Sequence, residues 1–157
     1  AFVETLEAPD GFPDDDFGAS VAIYENYVVV GAPLDDDASG VERGAAYLFS
    51  TTDGGATWGF LEKLSAPDGA GGDRFGISVA IRGNDVVVGA KFDSDAGFES
   101  GSAYVHTTTN GGATWPFVVK LVAFDAAPGD QFGFSVAVSE NNVFVGAIGD
   151  ELGSGSV

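Results

Sequence analysis

The chain has no cysteine and no methionine, one histidine, and six lysine and arginine residues among 157. Each shortage closes a class of function. Without cysteine there is neither a disulfide framework nor a thiolate metal site, and cysteine usage gives no sign of the redox compartment. Six scattered cations cannot form the patch that displaces counterions from phosphates, so nucleic acid is excluded as a partner. An anionic membrane surface is disfavoured for the same reason. No apolar run approaches the roughly 20 residues that cross a bilayer. Residues 27–33 and 117–124 are strand-sized, the chain reads as soluble, and membrane insertion is not expected. The lone His106 has no serine or carboxylate marked as its partner, so no nucleophile–base pair is legible and no catalytic residue is assigned. Lacking methionine and opening on Ala1, the sequence reads as a processed or partial polypeptide.

What is present points to a folded, turn-rich protein. Hydrophobic residues make up 45 % of the chain, 13 of them Phe, enough for a sizeable core. There are 24 Gly, and among the 24 acidic residues Asp outnumbers Glu 16 to 8, a bias toward turns rather than helices. The fold class expected is all-β.

One unit is written three times. Phe17-Gly18, Phe75-Gly76 and Phe132-Gly133 recur at intervals of 58 and 57 residues, and Gly31-Ala32, Gly89-Ala90 and Gly146-Ala147 repeat both intervals. Ser20, Ser78 and Ser135 follow each Phe by three positions, and Asn26, Asn84 and Asn141 by nine. The β-branched runs on either side of each Asn read as a hairpin, strands one and two of the unit. Gly44-Ala-Ala-Tyr-Leu-Phe49 and Gly101-Ser-Ala-Tyr-Val-His106 alternate small and large residues as a third strand. Residues 60–66 and 117–123 supply a fourth, and residues 2–8 with Leu6 hold the same register ahead of the first repeat. Four-stranded antiparallel meanders repeated in this way are β-propeller blades. The sequence units are residues 1–57, 58–114 and 115–157, the last clipped, making one partial propeller of three blades.

These motifs, their interval and the strand pattern resemble the FG-GAP repeat, the blade unit of integrin α-subunit heads and of many secreted repeat proteins. The resemblance covers nearly the whole chain, although the Pro of that motif stands here once, at Pro33, with Lys91 and Ile148 in the later copies. It implies an extracellular or cell-surface module for adhesion, structural assembly or protein recognition, in a ring of commonly about seven blades. Three blades do not close a ring, and an open set leaves strand edges unpaired. The expected partners are therefore other propeller segments, other chains or a protein ligand.

In a meander the fourth-to-first and second-to-third loops share one face, and most of the acidic residues fall there. Three sets keep register in every unit: Asp10, Asp68 and Asp125; Asp15, Asp73 and Asp130; Asp35, Asp93 and Asp150. Fixed register has two chemical readings. An Asp can cap the N–H groups of its own turn, which is the reading favoured for the first two sets. It can also ligate a hard cation, and Asp35, Asp37, Asp93, Asp95 and Asp150 are the candidate Ca²⁺ ligands on the second-to-third loops. The integrin-type calcium loop between strands one and two is absent, since Glu25-Asn26, Gly83-Asn84 and Glu140-Asn141 stand there.

On the opposite face, Thr51-Thr-Asp53-Gly-Gly55-Ala-Thr57-Trp58 and Thr108-Thr-Asn110-Gly-Gly112-Ala-Thr114-Trp115 resemble the Asp-box of sialidase-type propellers. In that family the motif is structural, with Asp or Asn bonding its own turn and the Trp packing between sheets. The alternative is glycan stacking on Trp58 or Trp115. Arg43, Arg74 and Arg82 lie in different units without the convergence a sialidase site needs. The reading is a non-enzymatic recognition or structural module, with a carbohydrate-binding propeller and then a glycosidase fragment as alternatives.

Overall fold

Runs of Val, Ile and Tyr between two-residue turns dictate short strands. A computed structural model describes residues 4–37, 40–140, 142–150 and 156–157, and all regular structure among them is β. The first sheet holds β1 (Ser20–Tyr24), β2 (Tyr27–Ala32), β3 (Ala45–Ser50) and β4 (Gly59–Leu64). The second holds β5 (Phe75–Arg82), β6 (Asp85–Ala90), β7 (Ser102–Thr107) and β8 (Phe117–Leu121), and the third holds β9 (Phe132–Ser139) and β10 (Asn142–Ala147). Each sheet is an antiparallel meander in chain order, and the three do not close into a ring. No helix among the described residues is long and apolar enough to cross a membrane.

The sheets are offset by one strand from the sequence units. β4 completes the first sheet although it begins at Gly59, just inside the second unit. The third sheet continues past β10 at one point. Ser156 and Ala147 exchange both backbone hydrogen bonds at 2.8 Å, the pairing that Ala45 makes with Ala32 and Ser102 with Ala90. Asn141 and Gly155, which the repeat pattern places in that blade, lie outside the described residues, as do Phe2 and Val3.

One strand expectation is corrected. Residues 4–8 are not in a ladder, because no described strand lies beside them to accept their hydrogen bonds. Leu6 and Ala8 instead pack on the outer face of the first sheet with Phe17 and Trp58, over Val28, Val30, Tyr47 and Phe49.

The sheets stack through their first strands. β5 lies on β1 and β2, and β9 lies on β5 and β6. Val29, Leu48 and Leu64 meet Phe75, Ile81, Val86 and Tyr104 between the first two sheets. Val87, Ala103 and Val105 meet Val136 and Val138 between the second and third. The central strands β2 and β6 are thus covered on both faces, which is why they read as unbroken Val runs rather than alternating ones.

The two glycine motifs are the two halves of this joint. A Cβ on Gly31 would lie 1.9 Å from the Gly76 carbonyl oxygen, and one on Gly89 2.0 Å from that of Gly133. Only a backbone without a side chain permits that approach. The hydroxyls of Ser20 and Ser78 donate to the same two carbonyls at 2.8 Å. Phe-Gly of one unit therefore docks on Ser and Gly-Ala of the unit before it.

Candidate functional site

The register-matched acids divide into two structural jobs. Asp15, Asp73 and Asp130 are buried, and in each the Oδ2 accepts the N–H three residues earlier, from Phe12, Ala70 and Ala127, at 2.6 Å. This is the turn capping expected of that set. Burial, with the nearby Asp93 charge assisting, raises the Asp73 carboxyl above its ordinary pKa.

Asp10 and Asp68 do something else. With Asp35 and Asp93 they surround a lysine and a tyrosine from the third and fourth strands of their own sheet. Lys120 on β8 sets its ammonium 2.9 Å from Asp68, 2.8 Å from Asp93 and 2.6 Å from Asp95. Tyr104 on β7 reaches Asp68 and Asp93 with its hydroxyl, both at 2.8 Å. The first sheet repeats the arrangement. Lys63 lies 2.8 Å from both Asp10 and Asp35, and Tyr47 bonds the same two carboxylates. Each ammonium also stands over its tyrosine ring, at 5.1 Å in the first sheet and 5.3 Å in the second.

Electrostatics follow from this geometry. Burial opposes charge on Asp93, but hydrogen bonds from Lys120, the Asp95 N–H and Tyr104 outweigh it and hold the carboxyl below its usual range. Asp10 and Asp68 are lowered in the same way, against a smaller burial penalty. Burial alone would lower the Lys120 pKa, yet its three carboxylates raise it well above the ordinary lysine value. Burial together with two adjacent carboxylates pushes both tyrosines strongly upward, so they stay protonated donors.

The cation that these carboxylates hold is therefore an ammonium. Of the positions considered for Ca²⁺, Asp35, Asp93 and Asp95 face lysine, and Asp37 faces Arg43 at 2.7 Å. Among the described residues no group of three or more His, Asp or Glu side chains converges as a metal site. Asp150 is half-buried in the loop that follows β10.

The other cations are committed as well. Arg74 pairs with Glu42 at 3.1 Å and Arg82 with Glu140 at 3.2 Å, each across a sheet boundary. Lys91 stands over the rings of Phe92 and Phe134. A cavity of about 390 Å³ beside Lys63 is lined by Asp35, Asp37, Arg43 and Ser65.

On the opposite face, the Asp53 carboxylate accepts the Thr57 N–H at 2.9 Å and the hydroxyls of Thr51 and Thr57 at 2.8 and 2.7 Å. Asn110 closes the second turn through the same partners, Thr108 and Thr114. Trp115 is 1 % exposed, with its indole N–H on the Gly112 carbonyl and its ring edge-on to Tyr27 at 5.5 Å. Its ring packs between the first two sheets. Trp58 is half-buried against the first sheet. Tyr24, Tyr27 and Trp115 line a cavity of about 310 Å³ on this face with Asn26, Asn84 and Thr108.

The lysines and tyrosines of the two clusters were not singled out from the sequence. A signal existed: Lys63-Leu64 and Lys120-Leu121 recur at the repeat interval in a chain with few cations.

Stacked four-stranded meanders joined through glycine contacts define a propeller-type array of blades, here open. Compared with protein families, residues 1–49, 58–106 and 115–157 match the FG-GAP repeat. The chain belongs to the FG-GAP repeat family. No curated protein matches it.

Proposed function

We propose that this chain is a non-enzymatic scaffold that acts outside the cell in adhesion or assembly, and that it works by packing its end blades against further FG-GAP blades. One observation carries the reading: the interblade joint is made twice inside the chain and is left open as one half at each end. At one end Phe17-Gly18 meets no Gly-Ala pair among the described residues, and a Cβ on Gly18 would meet none of their atoms within 4 Å. At the other, the described atoms nearest a Cβ on Gly146 all belong to Ser135, with its hydroxyl 2.5 Å away. The apolar halves are open too. Ile23 is 64 % exposed where the matching Ile81 is 7 %, Val21 is exposed where the matching Val79 is half-buried, and Phe144 is 51 % exposed where Val29 and Val87 are 0 %. Patches of this kind mark interaction surfaces.

Sedimentation across a concentration series tests the reading, comparing the wild-type chain with Gly146→Ala. The added methyl obstructs an incoming Phe-Gly, whereas within the chain it meets a serine hydroxyl free to rotate. Concentration-dependent association that Gly146→Ala abolishes, with the melting temperature unchanged, supports end packing. A wild-type chain that stays monomeric throughout, or a variant that associates equally well, ends the idea.

The Tyr24–Tyr27 cavity supports a second reading, a neutral glycan held by a phenol ring and the Asn26 and Asn84 amides. Titration with a monosaccharide panel followed by NMR, with Tyr24→Ala as control, decides it. Shifts confined to this cavity and lost in the variant favour it; an unchanged spectrum removes it.

A further inference from the structure

Lys91 differs from every other cation of the chain. The other lysines and the arginines each pair with a carboxylate. Lys91 makes no such pair among the described residues, and its ammonium stands 4.6 and 5.2 Å from the ring centres of Phe92 and Phe134. It lines a cavity of about 180 Å³ where the first two sheets meet, on the side of the acidic loops, together with Arg74, Asp16, Pro33, Leu34, Ile77 and Phe92. The Arg74 guanidinium spends one donor on Glu42 and keeps the rest.

Both cations break the repeat. Lys91 stands where the other units have Pro33 and Ile148, and Arg74 where they have Asp16 and Gln131. The backbone does not ask for arginine there. All three residues of that set take positive φ, 55° at Asp16, 62° at Arg74 and 56° at Gln131, a region that suits a short polar side chain such as Asp better than a long one. At the corresponding place between the second and third sheets, Gln131 and Ile148 take the positions of Arg74 and Lys91, so of the two boundaries the first alone brings two cations to one cavity.

The lining offers three kinds of contact. Arg74 and Lys91 supply donors for a carboxylate, Asp16 supplies an acceptor for an ammonium, and Pro33, Leu34, Ile77 and Phe92 supply an apolar wall. A formal charge of −18 repels free anions, which counts against a simple organic acid, whereas a molecule that carries both charges is neutral overall and escapes that repulsion. The cavity is well below the roughly 300 Å³ at which drug-sized sites begin, so its ligand is small. The structure assigns to this cavity a free α-amino acid with an aliphatic side chain, its carboxylate on Arg74 and Lys91, its ammonium on Asp16 and its side chain against the apolar wall. The assignment uses neither the open ends of the array nor the Tyr24–Tyr27 cavity, and stands or falls apart from both.

Leucine is the probe. Titrated into the isotope-labelled whole chain, it gives saturable NMR shifts at the residues of this cavity, with the affinity of about millimolar order that so small a ligand can reach. Leucinamide, which lacks the carboxylate, and isocaproate, which lacks the ammonium, each bind about tenfold or more weakly, the usual effect of losing a hydrogen bond between charged groups. In the chain, Lys91→Met and Arg74→Gln weaken leucine by a similar factor. Asp16→Asn weakens leucine but not isocaproate, a selective loss that a misfolded variant would not give. Leucine without saturable shifts, analogues that bind as well as leucine, or binding that survives Lys91→Met and Arg74→Gln overturns the assignment.

Discussion

His106 stands in the second sheet where Phe49 stands in the first. Its ring centroid lies 6.2 Å from Phe75 and 5.9 Å from Phe117, and Phe49 lies 6.2 Å from Phe17 and 5.9 Å from Phe60. A phenyl slot has thus been given an imidazole. Nδ1 finds the Trp115 carbonyl at 3.1 Å, but Nε2 is buried with no partner.

That slot makes stability depend on pH. Burial lowers the His106 pKa below 6.5, only partly offset by the Trp115 carbonyl and the Glu62 charge. The unfolded chain therefore takes up a proton more readily than the folded one. The resulting loss of stability begins as pH falls through the unfolded value near 6.5 and continues until the folded value is passed. His106→Phe removes both this loss and the orphaned nitrogen, so the variant is more stable by about 1 kcal/mol at neutral pH, with a larger advantage at pH 5. Denaturant melts of both proteins at the two pH values check it; a variant that melts earlier than wild type at both contradicts it.

Lys120 is the sole cation within reach of the nearly inaccessible Asp93 carboxylate among the described contacts, with side chains 17 % and 2 % exposed. Removing one member of a buried pair leaves the other charge stranded, a loss of about 3 kcal/mol. Lys120→Met therefore destabilises strongly at neutral pH. The sign of the pH effect is set by Asp93, whose lowered folded pKa makes the pair's contribution present above its unfolded value near 3.8 and lost as pH falls below it. The gap between wild type and variant narrows accordingly in acid. Asp95→Asn, at a side chain 64 % exposed, changes stability by less than about 1 kcal/mol. Equal effects of the two substitutions in urea melts would refute the buried-pair account.

The fold was legible in the sequence and the clusters were not, for a physical reason. Phe-Gly and Gly-Ala recur because two backbones touch at Gly31 and Gly76, and again at Gly89 and Gly133, so the contact allows one residue type and leaves a mark at each repeat. The Lys–Asp–Tyr contacts join residues as far apart as Asp10 and Lys63, on four different segments of a sheet. Alternation in β3 and β7 identifies Tyr47 and Tyr104 as strand residues without saying which loop their hydroxyls reach. Fixed register likewise marked the acids as important while leaving open turn capping or a metal, and it did not point to an ammonium. For Trp115, the motif implied packing between sheets, and the ring is buried there.

The glycine joint makes its own prediction. Gly31→Ala and Gly89→Ala each drive a methyl onto a backbone carbonyl that cannot rotate away, so both lose 3 kcal/mol or about that much, at the high end for overpacking. Gly146→Ala, the same change at the open end, stays within about 1 kcal/mol of wild type. Thermal melts of the three variants rank them; a Gly31→Ala protein as stable as Gly146→Ala would mean that the sheets do not meet there.

Calcium separates an ammonium-filled rim from a metal-filled one. If the Asp35 and Asp93 loops bound Ca²⁺ in the folded state, adding the ion at about a hundred times its dissociation constant would stabilise the fold by about 2.7 kcal/mol, and EDTA would remove that gain. With Lys63 and Lys120 already seated among those carboxylates, a metal must first displace a cation tethered to the adjacent strand. The expected result is a melting temperature indifferent to both calcium and EDTA at constant ionic strength. Exposed pairs such as Lys120–Asp95 are screened by any salt, so a sodium chloride control at matched ionic strength is needed to isolate the divalent ion. A rise specific to Ca²⁺, reversed by EDTA and lost in Asp93→Asn, would show that the loops prefer the metal to their own lysines.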